Sequence, residues 1–246
     1  NGLTAFESDG FALGDRLGVN QSGENFVAWQ WNAGGTSTTN SDGSVSATVM
    51  ASPTAGFSIC KWVHTTSANY TVGHGLGAVP KMVWVKTLDQ GTNWGVFHSD
   101  ITLGNRLILN STGAETTGYW GANTFNSTVF SIGSARDANS SNAIGYVFAE
   151  VENYSKISSF VGTGSTDGPF VFTGFKPAWL LIKRASGGTG NWDIFDNQRD
   201  PINPADAVLD ADANSAEATF STIKIDLLSN GFKIRGTQSN INASGS

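Results

Sequence analysis

The chain has 246 residues, 39% of them hydrophobic and 14% charged, with a net charge of −6. An acidic balance without a Lys/Arg cluster excludes nucleic acid, whose phosphates need basic side chains. No apolar run approaches the ~20 residues that a membrane helix requires, and 30 Gly, 8 Trp and 15 Phe disfavour a helical protein and suit half-buried sheet surfaces.

In chain order, Phe11-Ala-Leu13-Gly14 leads into an Asn/Ser/Gly turn and then an aromatic strand, Phe26-Val-Ala-Trp29-Gln-Trp31. Residues 34–44 are mostly Gly, Ser and Thr and read as a flexible linker. Alternation over Phe57–Val63 puts Phe57, Ile59, Lys61 and Val63 on one face and Cys60 with Trp62 on the other. Cys60 is alone, which excludes an intrachain disulfide, and it reads as a small buried hydrophobe. Further strands are predicted at 81–86, 95–97, 106–109, 128–132, 146–150, 170–172 and 178–183, each a short apolar run bounded by turn residues. Only 205–212 and 215–219 look helical.

The chain also repeats itself. Pro80, Lys86, Asn93, Trp94 and Phe97 return as Pro177, Lys183, Asn191, Trp192 and Phe195. The Phe11–Gly14 signature returns at Phe130–Gly133 and Phe232–Arg235, and after the second of these comes another aromatic strand, Tyr146-Val-Phe148-Ala-Glu150. The expected architecture is all-β, with tandem β-sandwich or jelly-roll-like domains and little or no helix. Residues 1–35 are expected to be the closing strands of a preceding repeat and 36–55 a linker. Residues 56–154 form one β-sandwich repeat, and 155–246 a second that is truncated before its last strand. On this reading the chain is a piece of a longer array. Phe26–Trp31 then belongs where the last unit lacks a strand, pairing in cis or donating to a neighbour.

Candidate chemistry is sparse. Gly73-His74-Gly75-Leu76-Gly77 has no Gly-Lys-Ser/Thr after it and reads as a tight loop before a strand. His64, His74 and His98 have no metal-ligand spacing. Glu150, Glu152, Asp193, Asp196 and Asp200 are carboxylates that no spacing brings together, so no catalytic residue is assigned and the chain is expected not to be an enzyme. Asp210, Asp212, Asn214 and Glu217 alternate like oxygen ligands, a weak Ca²⁺ candidate without the central Gly of a calcium loop; no other cofactor is implied. Trp94 and Trp192 either cap the core with the indole N–H on a loop carbonyl, or stand exposed and stack on a sugar or partner. With His98 and Asp196, which follow Phe97 and Phe195, they are the candidate ligand-binding residues. Lys86 and Lys183 read as solvated charges at strand ends.

The strings Phe11–Gly35, Tyr70–Lys86, Asn93–His98, Tyr146–Arg184 and Leu228–Lys233 resemble the tandem β-rich repeats of structural and tail-fibre proteins of marine bacteriophages, including phages of cyanobacteria. Gln30 stands where such repeats usually carry Cys. The resemblance implies a virion location, a homo-oligomer (a trimer is favoured), contacts with other virion proteins, and host attachment through a surface glycan or protein. A lectin-like carbohydrate-binding module without catalytic activity is the alternative.

Overall fold

A computed structural model describes residues 2–65, 69–133 and 140–246. The turn after Ile132 lies largely outside the described residues. The chain divides into two compact units, residues 1–31 and 32–246.

In the first unit, β1 (Leu3–Phe6) and β2 (Phe11–Leu13) form an antiparallel hairpin with Phe6 opposite Phe11. A single helical turn, α1 (Leu17–Asn20), follows. Phe26–Trp31 belongs to no strand, contrary to expectation. A strand needs a bonded neighbour, and here Phe26, Val27 and Trp31 are 49%, 47% and 41% exposed instead.

The second unit opens with β3 (Thr38–Asn40), β4 (Ala47–Ser52) and β5 (Phe57–Val63), paired in succession. The linker expected at 36–55 is therefore wrong. Its Ser and Thr content suits a linker, but Ala47 and Val49 are buried on one face while Thr48 points out, the period-2 pattern of a half-buried strand. Next come β6 (Tyr70–Gly73), β7 (Met82–Thr87), β8 (Gly95–His98), β9 (Asn105–Ile108), β10 (Thr116–Thr117), β11 (Val129–Ile132) and β12 (Asn142–Phe148). They are followed by β13 (Phe170–Phe172), β14 (Trp179–Lys183), β15 (Trp192–Asp196), β16 (Ala207–Asp210), β17 (Ala218–Thr219), β18 (Ile225–Leu228), β19 (Gly231–Ile234) and the single turn α2 (Ser239–Asn242). The helical readings at 205–212 and 215–219 give way to β16 and β17. Apolar Ala207 and Val208 are buried there by ladder pairing, which local propensity does not register.

The fold is all-β and sandwich-like. One sheet runs β10-β9-β8-β7-β12-β5-β4-β3 and faces the β11-β6 pair. Val83, Val85, Cys60 and Trp62 of the large sheet pack on Tyr70, Val72, Phe130 and Ile132 of the small one. The second layer pair repeats the scheme, with β14-β15-β16-β17 against β13-β19-β18. Its core joins Ile182, Phe195 and Val208 to Val171, Ile225, Phe232 and Ile234. The meander β7–β10 thus corresponds to β14–β17, and the pair β6/β11 to β13/β19. A third apolar cluster combines Val96, Leu107, Trp84 and Leu109 with Trp192, Leu181 and Ala185, so the two repeats share one interior.

Candidate functional site

The repeated residues converge on the loop that joins the first two strands of each meander. Lys86 Nζ donates to the carbonyls of Thr87 (2.7 Å) and Gln90 (2.8 Å), and Lys183 Nζ to those of Gly190 (2.7 Å) and Thr112 (2.9 Å). Neither is the solvated charge expected. Each ammonium satisfies loop carbonyls that would otherwise be left short of donors. Burial lowers the Lys183 ammonium below the usual lysine range, opposed by the charges of Asp212 and Asp193.

The Asn-Trp pairs close the same loop. Trp94 N–H donates to Asn110 Oδ1 (3.0 Å), and the Asn110 amide donates to Asn93 Oδ1 (3.0 Å). In the second repeat Trp192 N–H donates to Asp212 Oδ1 (2.9 Å), and the Asn191 amide to Asp210 Oδ2 (2.8 Å). The motif is a backbone latch, reused with a carboxylate in place of an amide.

The two indoles differ. Trp192 is 3% exposed, and its Nε1–H donates to Ile108 O of the first repeat at 2.9 Å. It caps the shared cluster. Trp94 is half-buried and lies nearly parallel to Tyr146, with ring centroids 6.1 Å apart. Tyr146, Phe148 and Trp84 share that outer sheet face, Phe148 lying 5.0 Å from Trp84.

His98 is half-buried, and its Nδ1 accepts the Asp100 N–H at 3.2 Å. Burial keeps it less basic than a free histidine. Asp196 is 7% exposed and accepts from Arg199 Nε (2.8 Å), Arg199 N–H (2.9 Å) and Gln198 N–H (3.0 Å). Burial works to raise Asp196, but the Arg199 bonds outweigh it and hold the carboxyl below its usual range. The assignment of Trp192 and Asp196 to ligand binding is thereby corrected. Both are enclosed, and their polar atoms serve the fold.

The weak calcium candidates do not converge. Asp210 holds Asn191, Asp212 holds Trp192 N–H, Glu217 pairs with Arg199 at 2.9 Å, and Asn214 is exposed. Among the described residues no three His, Cys, Asp or Glu side chains group as metal ligands. His74 is enclosed too: its Nδ1 accepts Leu76 N–H at 3.2 Å, and Nε2–H donates to Asn126 O at 3.1 Å. Burial lowers its basicity, and this neutral imidazole fixes the glycine loop as a turn. His64 lies against the Tyr70 hydroxyl and Thr87 Oγ1, inside the first core.

Asp193, one of the candidate carboxylates, has a partner that spacing did not show. Asp193 stands directly opposite Asp210 on the paired strands and is fully buried. Asp210 and Asn240 face it, yet neither meets its oxygens in full hydrogen-bonding geometry. Burial, then Asp210, pushes Asp193 up to about 7. The strand pairing that creates this acid pair has no local signal. In the first repeat the position of Asp193 is Gly95, with Tyr119 lying over it.

No curated protein and no solved structure matches the chain. A family model described as a domain of unknown function, DUF7483, matches residues 1–246, and the chain belongs to that family.

Proposed function

We propose that the chain is a structural module of a bacteriophage virion, of the tail-fibre kind, that assembles as a homo-oligomer (a trimer is favoured) and serves host attachment. The observation that carries this reading is the fusion of successive repeats through Trp192 and Ile108. Stacked repeats that share an interior build a stiff, extended body. The residues kept between the two copies hold backbone in place rather than converge on a substrate, which favours a scaffold over an enzyme. The family resemblance supplies the virion setting. Light scattering at several concentrations tests it: a stable multiple of the 25.8 kDa chain is expected, and a monomer at every concentration overturns the fibre reading.

A second reading, a carbohydrate-binding module, is favoured by the half-buried row of Trp94, Tyr146 and Phe148 on an outer sheet face. Aromatic rings with one open face stack on sugars. A glycan-array signal lost in Trp94→Ala at unchanged melting temperature supports it, and a blank array removes it.

A further inference from the structure

The small sheets of the two repeats present different edges. In the first repeat the backbone of Thr71 turns away from β11 and meets residues 44–45. Val45 N–H donates to Thr71 O at 3.1 Å, Ser44 N–H to Thr71 Oγ1 at 2.9 Å, and Thr71 N–H to Ser44 Oγ at 2.9 Å. Val45 bridges Val72 in parallel. Two residues beyond Thr71, Asn40 Oδ1 fills the space that a side chain on Gly73 would need. The outer edge of β6 is covered.

β13 is the counterpart of β6, with Val171 opposite Phe232 as Val72 is opposite Phe130. Phe170 and Phe172 therefore take the places of Thr71 and Gly73. Thr173 N–H donates to Asn230 O (3.0 Å) and Ile234 N–H to Pro169 O (3.1 Å), so ladder alternation turns the backbone groups of Phe170 and Phe172 away from β19. β13 is the outer strand of its sheet, and among the described residues no strand lies on that side. The side chains of Phe170 and Phe172 are 46% and 61% exposed. Nor does the chain upstream hold a spare stretch for the place. Ser44 precedes Thr71 by 27 residues, and the residue 27 before Phe170 is Ala143, which β12 keeps between β5 and β7. An uncovered edge of this kind is a template for another strand.

The edge is complementary to itself. Phe170-Val171-Phe172 reads the same in both directions. A two-fold axis at Val171 sets Phe170 of each copy opposite Phe172 of the other, and the outward N–H and C=O groups of both phenylalanines then bond across the axis. The flanks match in charge as well. Exposed Asp167 precedes the strand and exposed Lys176 follows it, so antiparallel pairing brings the acidic end of each copy to the basic end of the other.

We propose that β13 of one chain pairs antiparallel with β13 of a second copy, joining their two three-stranded sheets into one continuous sheet. The contact is isologous and links chains in pairs. It does not depend on the fibre reading, and it adds a two-fold contact to whatever symmetry a fibre has.

The test mixes full-length chains carrying Phe170→Cys with full-length chains carrying Phe172→Cys under mild oxidation. Opposed residues of a hydrogen-bonded pair lie about 5.5 Å apart, within disulfide reach. The same position on two copies is a diagonal of about 7–8 Å, beyond that reach. Cys60 is fully buried, its thiol pushed up to about 12 by burial, and does not compete. The expected product of the mixture has twice the 25.8 kDa chain mass, is joined through positions 170 and 172, and is at least tenfold more abundant than the product of either variant alone. Equal linkage in each variant alone overturns the proposal, as does no linkage from the mixture of folded chains. Circular dichroism confirms folding of each variant. Phe172→Lys places a charge on the edge, and in light scattering it is expected to separate the pairs at unchanged melting temperature. An oligomer that survives Phe172→Lys, with no link between 170 and 172, overturns this contact and leaves the fibre reading standing.

Discussion

Asp193 shows how a single residue sets a pH response. Its folded value, about 7, is raised from 3.8 by burial first and by Asp210 second. The protonated form suits the fold, so the favourable contribution is complete below about pH 4 and is lost as pH rises through about 7. Each unit of difference corresponds to about 1.4 kcal/mol. Asp193→Asn, which carries no charge at any pH, is therefore expected to raise stability at pH 8 by roughly 2–4 kcal/mol. It should also flatten the melting temperature between pH 4 and 7. Equal slopes for variant and parent in thermal melts would show that Asp193 does not titrate in this window. Nothing in the local sequence marks this residue, because the pairing of Asp193 with Asp210 depends on the register of two strands. Cys60 was legible by contrast: alternation along one strand suffices to put it beside Trp62 in the core.

At the scale of elements, the spaced Pro, Lys, Asn and Trp are legible as a repeat but not in their roles. Lys86 and Lys183 looked like edge charges because spacing shows where a residue recurs and not which way its side chain turns back. In the fold each ammonium ties down its own hairpin loop, with hydrogen bonds to Gln90 O and Gly190 O. Lys86→Met keeps the stem and removes the donors. It is expected to cost about 1–3 kcal/mol in urea unfolding, the penalty of leaving loop carbonyls short of donors. Hydrogen exchange over residues 88–94 should accelerate, and unchanged exchange would mean the loop is held by the Asn-Trp latch alone. Strand 47–52 was missed for a related reason. Composition over a window hid an alternation of Ala47 and Val49 that only the neighbouring β5 gives meaning.

For the whole molecule, the all-β class and the tandem organisation were legible from composition and repetition. The sharing of one interior by both repeats was not, since Trp192 reads alike as a cap on its own repeat or on its neighbour's. Trp192→Ala removes a buried indole from the cluster with Val96 and Leu107. The expected loss is about 3–5 kcal/mol, and a single unfolding transition should separate into two as the repeats lose their coupling. Calorimetry that still gives one transition would place the coupling in the hydrogen bonds that Thr112 O accepts from Gly190 N–H and Lys183 Nζ.

The bond from Trp192 to Ile108 also bears on synthesis. The two residues are 84 positions apart in the chain. At about 5–20 residues per second on the ribosome, Leu107 and Ile108 wait roughly 4–17 s for their cover. During that interval the nascent first repeat shows an apolar face that its own sequence cannot hide. Slowing translation between codons 110 and 190 should lengthen the exposure and increase the fraction of chains captured by a trigger-factor-like chaperone.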